Sequence, residues 1–160
     1  MTYAYKKMKS PVGELTLVAS PKGVAAILWE NDSPLRVRLG PLLLNPAHPV
    51  LKKVEQQLAD YFEGKRKTFS LTLDPAGTTF QKKVWKALLT IPFGETRTYS
   101  QIAKQIGHPR ASRAVGAANG KNPLSIIAPC HRVIGANGKL TGFAGGLHVK
   151  ASLLRLESRT

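Results

Sequence analysis

The sequence is short of cysteine, of acidic residues beyond its midpoint and of long apolar runs. One cysteine, Cys130, stands among 160 residues. A single thiol cannot close an intrachain disulfide and cannot build a cysteine-rich zinc site. No apolar run approaches the roughly 20 residues that cross a bilayer. The first residues, 1–7, lack the apolar core of a secretory signal. Together these absences lead us to expect a cytoplasmic, reducing setting, no membrane association and no bound metal. Acids are scarce in one part only. Residues 1–74 carry 11 Lys/Arg against 7 Asp/Glu, whereas residues 75–160 carry 13 against 2. The second part therefore presents a positive field suited to a polyanion, with nucleic acid ahead of an acidic membrane surface. No long basic amphipathic helix supports the membrane alternative. The two acids there, Glu95 and Glu157, read either as salt-bridge partners or as groups placed to orient something.

What is present is enough for a globular core, since 42% of the residues are apolar. Residues 15–19 and 24–29 read as strands joined by the turn Ser20-Pro21-Lys22-Gly23, a hairpin. Residues 31–49, rich in Pro and Leu without periodicity, read as loop. Val50, Leu51, Val54, Leu58, Tyr61 and Phe62 recur at helical steps from Pro49 and stop at Gly64. Alternating Phe69, Leu71 and Leu73 suggest a further strand, and Asp74-Pro75-Ala76-Gly77 a linker. Beyond it, Phe80, Val84, Leu88 and Ile91 share one face of a helix stopped by Pro92. Thr98 and Gln101 have capping-box spacing before a helix that ends at Gly107. After His108-Pro109-Arg110-Ala111, residues 112–119 form a second short helix, which gives a helix-turn-helix pattern. Ala114, Gly116, Ala117 and Ala118 make that helix smooth, open to close approach by another helix or by a nucleic-acid groove.

Cys130 sits in Pro129-Cys130-His131-Arg132-Val133, with a base as its neighbour. The pair reads either as a buried small apolar residue beside a chance histidine or as an activated nucleophile. Thr141-Gly142-Phe143-Ala144-Gly145-Gly146 follows, a glycine-rich loop that lets backbone N–H groups approach a ligand. Its spacing matches neither a P-loop nor a dinucleotide fingerprint. On the last helix, from about Leu147, Lys150, Leu154 and Glu157 share a face. Should that face meet the cysteine loop, Glu157 would hold one imidazole nitrogen and leave the other for the thiol proton.

These segments resemble the O6-alkylguanine-DNA alkyltransferase family. The resemblance is carried by residues 80–88, Ile91-Pro92-Phe93-Gly94-Glu95, Thr98-Tyr99, Arg113-Ala114-Val115-Gly116, Asn122-Pro123, residues 127–134 and Thr141–Leu147. In the first half it rests on the strand–helix outline and Tyr61-Phe62-Glu63-Gly64. The resemblance implies an α+β fold in two parts. A small ribonuclease-H-like domain, 1–74, would precede a mainly helical domain, 75–160, containing the helix-turn-helix. It also implies single-turnover transfer of an alkyl group from guanine O6, and less readily from thymine O4, to the protein's own cysteine. Cys130 would be the acceptor, His131 the base through a water, and Glu157 its orienting acid. Asn122 would brace the cysteine loop and Lys150 would bond near it. Tyr99 would assist the leaving guanine, while Val133, Ala144, Gly145 and Asn119 would line the pocket of the extruded base. Arg113 would fill the space that base leaves, entering by the minor groove, with Ser100, Ala114 and Gly116 also against DNA. Phe143, Ala144 and Asn119 depart from the tyrosine, serine and methionine of other members. The expected partner is double-stranded DNA, bound by a protein that is a monomer in solution, with no cofactor.

Overall fold

A computed structural model describes residues 2–158. The first half is built on a sheet. Strands β1 (Tyr3–Ser10), β2 (Gly13–Ser20), β3 (Gly23–Leu28) and β4 (Leu42–Leu44) lie in the order β3-β2-β1-β4. The expected hairpin is the antiparallel β2–β3 pair. Helix α1 (Pro49–Phe62) covers the sheet and buries Leu51, Val54, Leu58 and Tyr61, the stripe seen in its periodicity. Two strands escaped the sequence pattern. β1 is interrupted by lysines, so its half-buried face shows no alternation. β4 falls within the stretch expected to be loop, and its three leucines are exposed on an edge parallel to β1. The rest of that stretch is not idle, since Val37 and Leu39 pack against Val18, Ala25 and Ala26 on the outer sheet face.

The strand expected at Phe69–Leu73 does not form a ladder. Its backbone is instead satisfied by the buried Gln57 side chain, which donates to the Ser70 carbonyl and accepts from the Ser70 N–H. Only an isolated bridge joins Leu73 to Val24.

The second half is mainly helical. Helix α2 (Thr79–Leu88) begins at a capping box formed by Thr78 and Gln81. It stops three residues earlier than expected. Thr90 caps the Ala87 carbonyl with its hydroxyl, and Ile91 donates back three residues to Leu88, so the last turn tightens. Ile91 remains buried, which is why its spacing looked helical. Strand β5 (Arg97–Thr98) leads into α3 (Tyr99–Gln105), capped by Thr98 and Gln101 as the spacing predicts. Helix α4 (Ser112–Gly120) follows the break at residues 107–111 and is pinned to α2 where Trp85 Nε1 donates to the Ala118 carbonyl at 2.8 Å. A single 3-10 turn, Cys130–Arg132, runs into β6 (Val133–Ile134), which pairs parallel with β5. Helix α5 (Leu147–Ser158) closes the described chain. One apolar core links the halves, running from Leu17 and Leu58 through Leu88 and Ile102 to Leu124 and Val133. No described helix is long and apolar enough to cross a membrane.

Candidate active site and nucleic-acid interface

The chain between α4 and the 3-10 turn is folded tightly. Ile127 N–H donates to the Ser125 carbonyl and Cys130 N–H to the Ala128 carbonyl, at 2.9 and 2.7 Å. These are three-residue turns, and Ile126 within the first sits at φ +72°. A β-branched residue adopts that conformation only under strain, of order 1–3 kcal/mol, which the surrounding packing must offset. Asn122 is part of that packing. Its buried amide donates to the Ala128 carbonyl at 2.8 Å and accepts from Leu124 N–H at 3.0 Å. Asn119, buried on α4, donates to the Cys130 carbonyl at 3.4 Å. Cys130 is left only 4% exposed.

The next residue is paired with a buried carboxylate. His131 Nε2 lies 2.7 Å from Glu157 Oε2, with both side chains buried. Nδ1 is buried and has no hydrogen-bond partner among the described residues. With Nε2–H donating to the carboxylate, Nδ1 carries the lone pair and is the nitrogen free to take a proton. Burial pushes the Cys130 thiol up from its ordinary value, opposed by the Asn122 hydrogen bond and by the charges of Arg36 and Lys150. A thiol in that state needs a base. Burial pushes His131 down, against the pull of Glu157, so the imidazole is neutral at pH 7 and able to serve. For Glu157, burial alone would raise the carboxyl, but hydrogen bonds from His131 and Arg132 outweigh it and hold the group at about 2. The acid–histidine contact expected from helix spacing is therefore present.

Lys150 takes no part in that pair and bonds at the end of the cysteine segment. Its buried ammonium donates to the Val133 carbonyl at 2.6 Å and to the Thr141 carbonyl at 3.4 Å, tying β6 to the glycine-rich loop. In this state the Val133 carbonyl is thus already engaged. Tyr99, at the first turn of α3, has its hydroxyl 2.5 Å from Thr141 Oγ1. Ala144 is exposed, and Gly145 is seated against Trp29 of the amino-terminal half. A Cβ at Gly145 would lie 2.9 Å from the Trp29 ring, so only glycine permits this contact. Trp29 also meets Phe143 edge-on, with ring centroids 5.5 Å apart.

The outer face of α4 is smooth, as its composition suggested. Arg113, Ala114 and Ala117 are exposed, and Gly116 is half-buried over the Tyr99 ring. Ser100 is exposed and its hydroxyl lies 3.1 Å from that of Ser112, linking the starts of α3 and α4. Arg113 thus stands on the exposed side of the helix-turn-helix, on the next helix along from Tyr99. Among the described residues no group of three or more His, Cys, Asp or Glu could hold a metal ion.

Three residues of the site were not singled out by sequence reasoning. Arg132 grips both oxygens of Glu157, through Nε at 2.8 Å and a terminal nitrogen at 2.9 Å, and donates to the Ile91 carbonyl at 2.7 Å. Its signal was its place beside His131. Arg36, from the stretch read as loop, forks onto Asp32 and donates to the carbonyls of Asn122 and Gly120 at the end of α4. Tyr61, on α1, donates its hydroxyl to Glu157 Oε2 at 2.6 Å. Nothing local marks Arg36 as more than a surface cation, and Tyr61, although it lies in the Tyr61-Phe62-Glu63-Gly64 run that carries the resemblance, reads as a core ring.

Comparison with known proteins gives the chain a family. Residues 3–75 match the ribonuclease-like domain of 6-O-methylguanine DNA methyltransferase, and residues 79–159 match its DNA binding domain. A methylated-DNA–protein-cysteine methyltransferase of Methanosarcina mazei is 51% identical over 153 residues, covering 96% of this chain and 96% of the relative. One from Mycobacterium bovis is 49% identical over 155 residues, covering 96% and 91%. The crystal structure of Mycobacterium tuberculosis OGT in complex with DNA superposes with a TM-score of 0.88 at 46% identity, covering 99% of this chain and 93% of that one. The chain, with its single cysteine next in sequence to a buried histidine–glutamate pair, belongs to the 6-O-methylguanine DNA methyltransferase family.

Proposed function

We propose that this protein repairs alkylated DNA by direct reversal, moving the alkyl group of O6-alkylguanine, and less readily of O4-alkylthymine, onto its own Cys130. The observation that carries the reading is the relay: a buried thiol, a neutral histidine with one unsatisfied nitrogen, and a carboxylate on the other. His131 Nδ1 takes the thiol proton, directly or through one water, and the imidazolium is stabilised by Glu157. The thiolate attacks the sp3 alkyl carbon; the C–S bond forms as the C–O6 bond breaks. Guanine leaves as its anion and recovers one proton, with Tyr99 donating toward it once its hydroxyl leaves Thr141. A thioether does not re-form the thiol, so each molecule acts once.

A duplex hides the target atom, so the base is extruded at a cost of a few kcal/mol. Arg113 is the side chain we assign to the vacated space, entering from the minor groove beside the smooth surface of Ala114 and Gly116. Ser100, at the start of α3, adds a backbone contact. Val133, Ala144, Gly145 and Asn119 line the pocket we assign to the base, with the Val133 carbonyl passing from Lys150 to the ligand. Asn122 braces the loop that carries the thiol. Such binding reads backbone and shape more than sequence, which suits scattered lesions. We infer a monomer working in the reducing cytoplasm, where a lone thiol remains available.

Incubation with duplex DNA carrying isotopically labelled O6-methylguanine tests the reading. The label is expected on Cys130, at no more than one methyl per protein, by peptide mass spectrometry. Absence of the methyl from Cys130 would overturn it.

A further inference from the structure

Glu157 Oε2 carries an unusual load. It accepts from His131 Nε2 at 2.7 Å, from an Arg132 terminal nitrogen at 2.9 Å and from the Tyr61 hydroxyl at 2.6 Å. The first two donors are neighbours in the cysteine motif. The third comes from the other half of the chain, 96 residues away. Tyr61 is fully buried, and its ring is held edge-on by Phe62 and Phe93 and tilted against Phe69. Its hydroxyl has no freedom to leave. Burial and the adjoining Glu157 carboxylate push the phenol far above its ordinary value, so it remains a donor at every working pH.

We propose that Tyr61 is a positioning residue of the thiol relay, its hydroxyl drawing charge from the Glu157 oxygen that holds His131 and so keeping the imidazole a neutral base. The inference rests on the alkyl-transfer reading above. A carboxylate oxygen that shares its lone pairs among three donors pulls less strongly on any one of them. Around the imidazole, Glu157 favours the protonated ring, whereas Arg132 and Lys150 oppose it, with Cys130 alongside. Removing the Tyr61 hydroxyl tips that balance toward imidazolium, and an imidazolium cannot accept the thiol proton. The amino-terminal half, which holds neither the thiol nor its base, thereby sets the pH range of the reaction.

The test is a pH profile of single-turnover methyl transfer from an O6-methylguanine duplex at saturating DNA, with duplex affinity measured separately by fluorescence anisotropy. Tyr61→Phe keeps the ring contacts and removes the hydroxyl. The acid limb is expected to move up by roughly half a unit to one unit, which slows transfer below the limb about three- to tenfold, with DNA affinity unchanged. Placing 3-fluorotyrosine at position 61 makes the phenol a stronger donor, and the limb is expected to move down. Phe62→Leu disturbs the ring cage but leaves the hydroxyl, and the limb is expected to stay in place. An unmoved limb in Tyr61→Phe, both substitutions at position 61 moving it the same way, or an equal shift in Phe62→Leu would each overturn the inference. Failure of the unsubstituted protein to take up methyl would overturn the alkyl-transfer reading instead.

Discussion

Most ion pairs of the amino-terminal half lie at the surface, whereas the carboxy-terminal half holds one of its two acids deep inside. In the first half acids are plentiful and, apart from the tight Arg36–Asp32 fork, pair in partly or largely exposed settings. Lys7 and Glu14 lie 3.7 Å apart with side chains 57% and 39% exposed, and Lys65 and Glu63 are more exposed still. Such pairs contribute at most about 1 kcal/mol each. In the second half one of the two acids, Glu157, is 1% exposed and accepts from imidazole, guanidinium and phenol together. Breaking a buried arrangement of this kind leaves a guanidinium unpaired and costs several kcal/mol. The other acid of that half, Glu95, pairs with Arg97 at the surface with its side chain 53% exposed, so burial among several donors, and not scarcity alone, commits a carboxylate. The comparison teaches that a carboxylate signals chemistry by its burial and its donors, as Glu157 does, and not by how few acids surround it.

Glu157→Gln should break the buried side most severely. Stability is expected to fall by about 3 kcal/mol in denaturant titration, because Arg132 loses its countercharge. Methyl transfer should slow by roughly a hundredfold, the lower range for losing the support of a general base. The same carboxyl sets the acid limit of folding. Its native value is held at about 2, below the ordinary 4.5, so its contribution is complete above pH 4.5 and is lost as pH falls toward 2. His131 is also depressed, below 6.5, so its share of the loss starts earlier, as pH falls through 6.5. Thermal melts across pH 7 to 3 should therefore decline in two stages, and Glu157→Gln should abolish the lower one. A single stage in the unsubstituted protein would count against the buried relay.

Arg36→Leu comes next and crosses the comparison, because this cation of the first half serves the second. It removes the fork on Asp32 and the donors to Asn122 and Gly120, with an expected loss of about 2 kcal/mol. Alkylation of Cys130 by iodoacetamide should also slow, since the Arg36 charge favours the thiolate. An unchanged thiol rate would confine Arg36 to stability. Arg113→Ala should leave stability alone and slow repair in duplex DNA by roughly tenfold or more, with reaction toward free O6-methylguanine base unaffected, as expected for a group that stabilises an extruded base. Equal slowing of both would remove Arg113 from that role. The smallest effect belongs to the loose side. Lys7→Gln should change the unfolding free energy by no more than about 0.5 kcal/mol.

Elements with strong local signals were legible in the sequence. Helix α1 follows the stripe from Val50 to Phe62, and α3 starts at its Thr98–Gln101 box. Helix spacing placed Glu157 on a face that would hold His131 if it met the cysteine loop, and the docking of α5 met that condition. Three elements misled. Lysines hid β1, an edge position let β4 run as three exposed leucines, and Gln57 supplied to Ser70 the bonds a strand would have made. Alternation registers neither a lysine-bearing half-buried strand nor an edge strand paired with the start of the chain, nor a side chain from another element that takes a ladder's place.

By itself, then, the sequence determined the single thiol, the base beside it, the positive second half and the short-range caps and stripes, because each depends on residues within a few positions of one another. Only the tertiary structure decided that Tyr61 meets Glu157, that Arg36 closes the end of α4, that Trp29 backs Gly145 and that Ile126 is held strained before Cys130. Those contacts depend on how the apolar face of one half docks against the other. A stripe of buried residues fixes that two faces meet, but not which polar groups at their margins come within 3 Å.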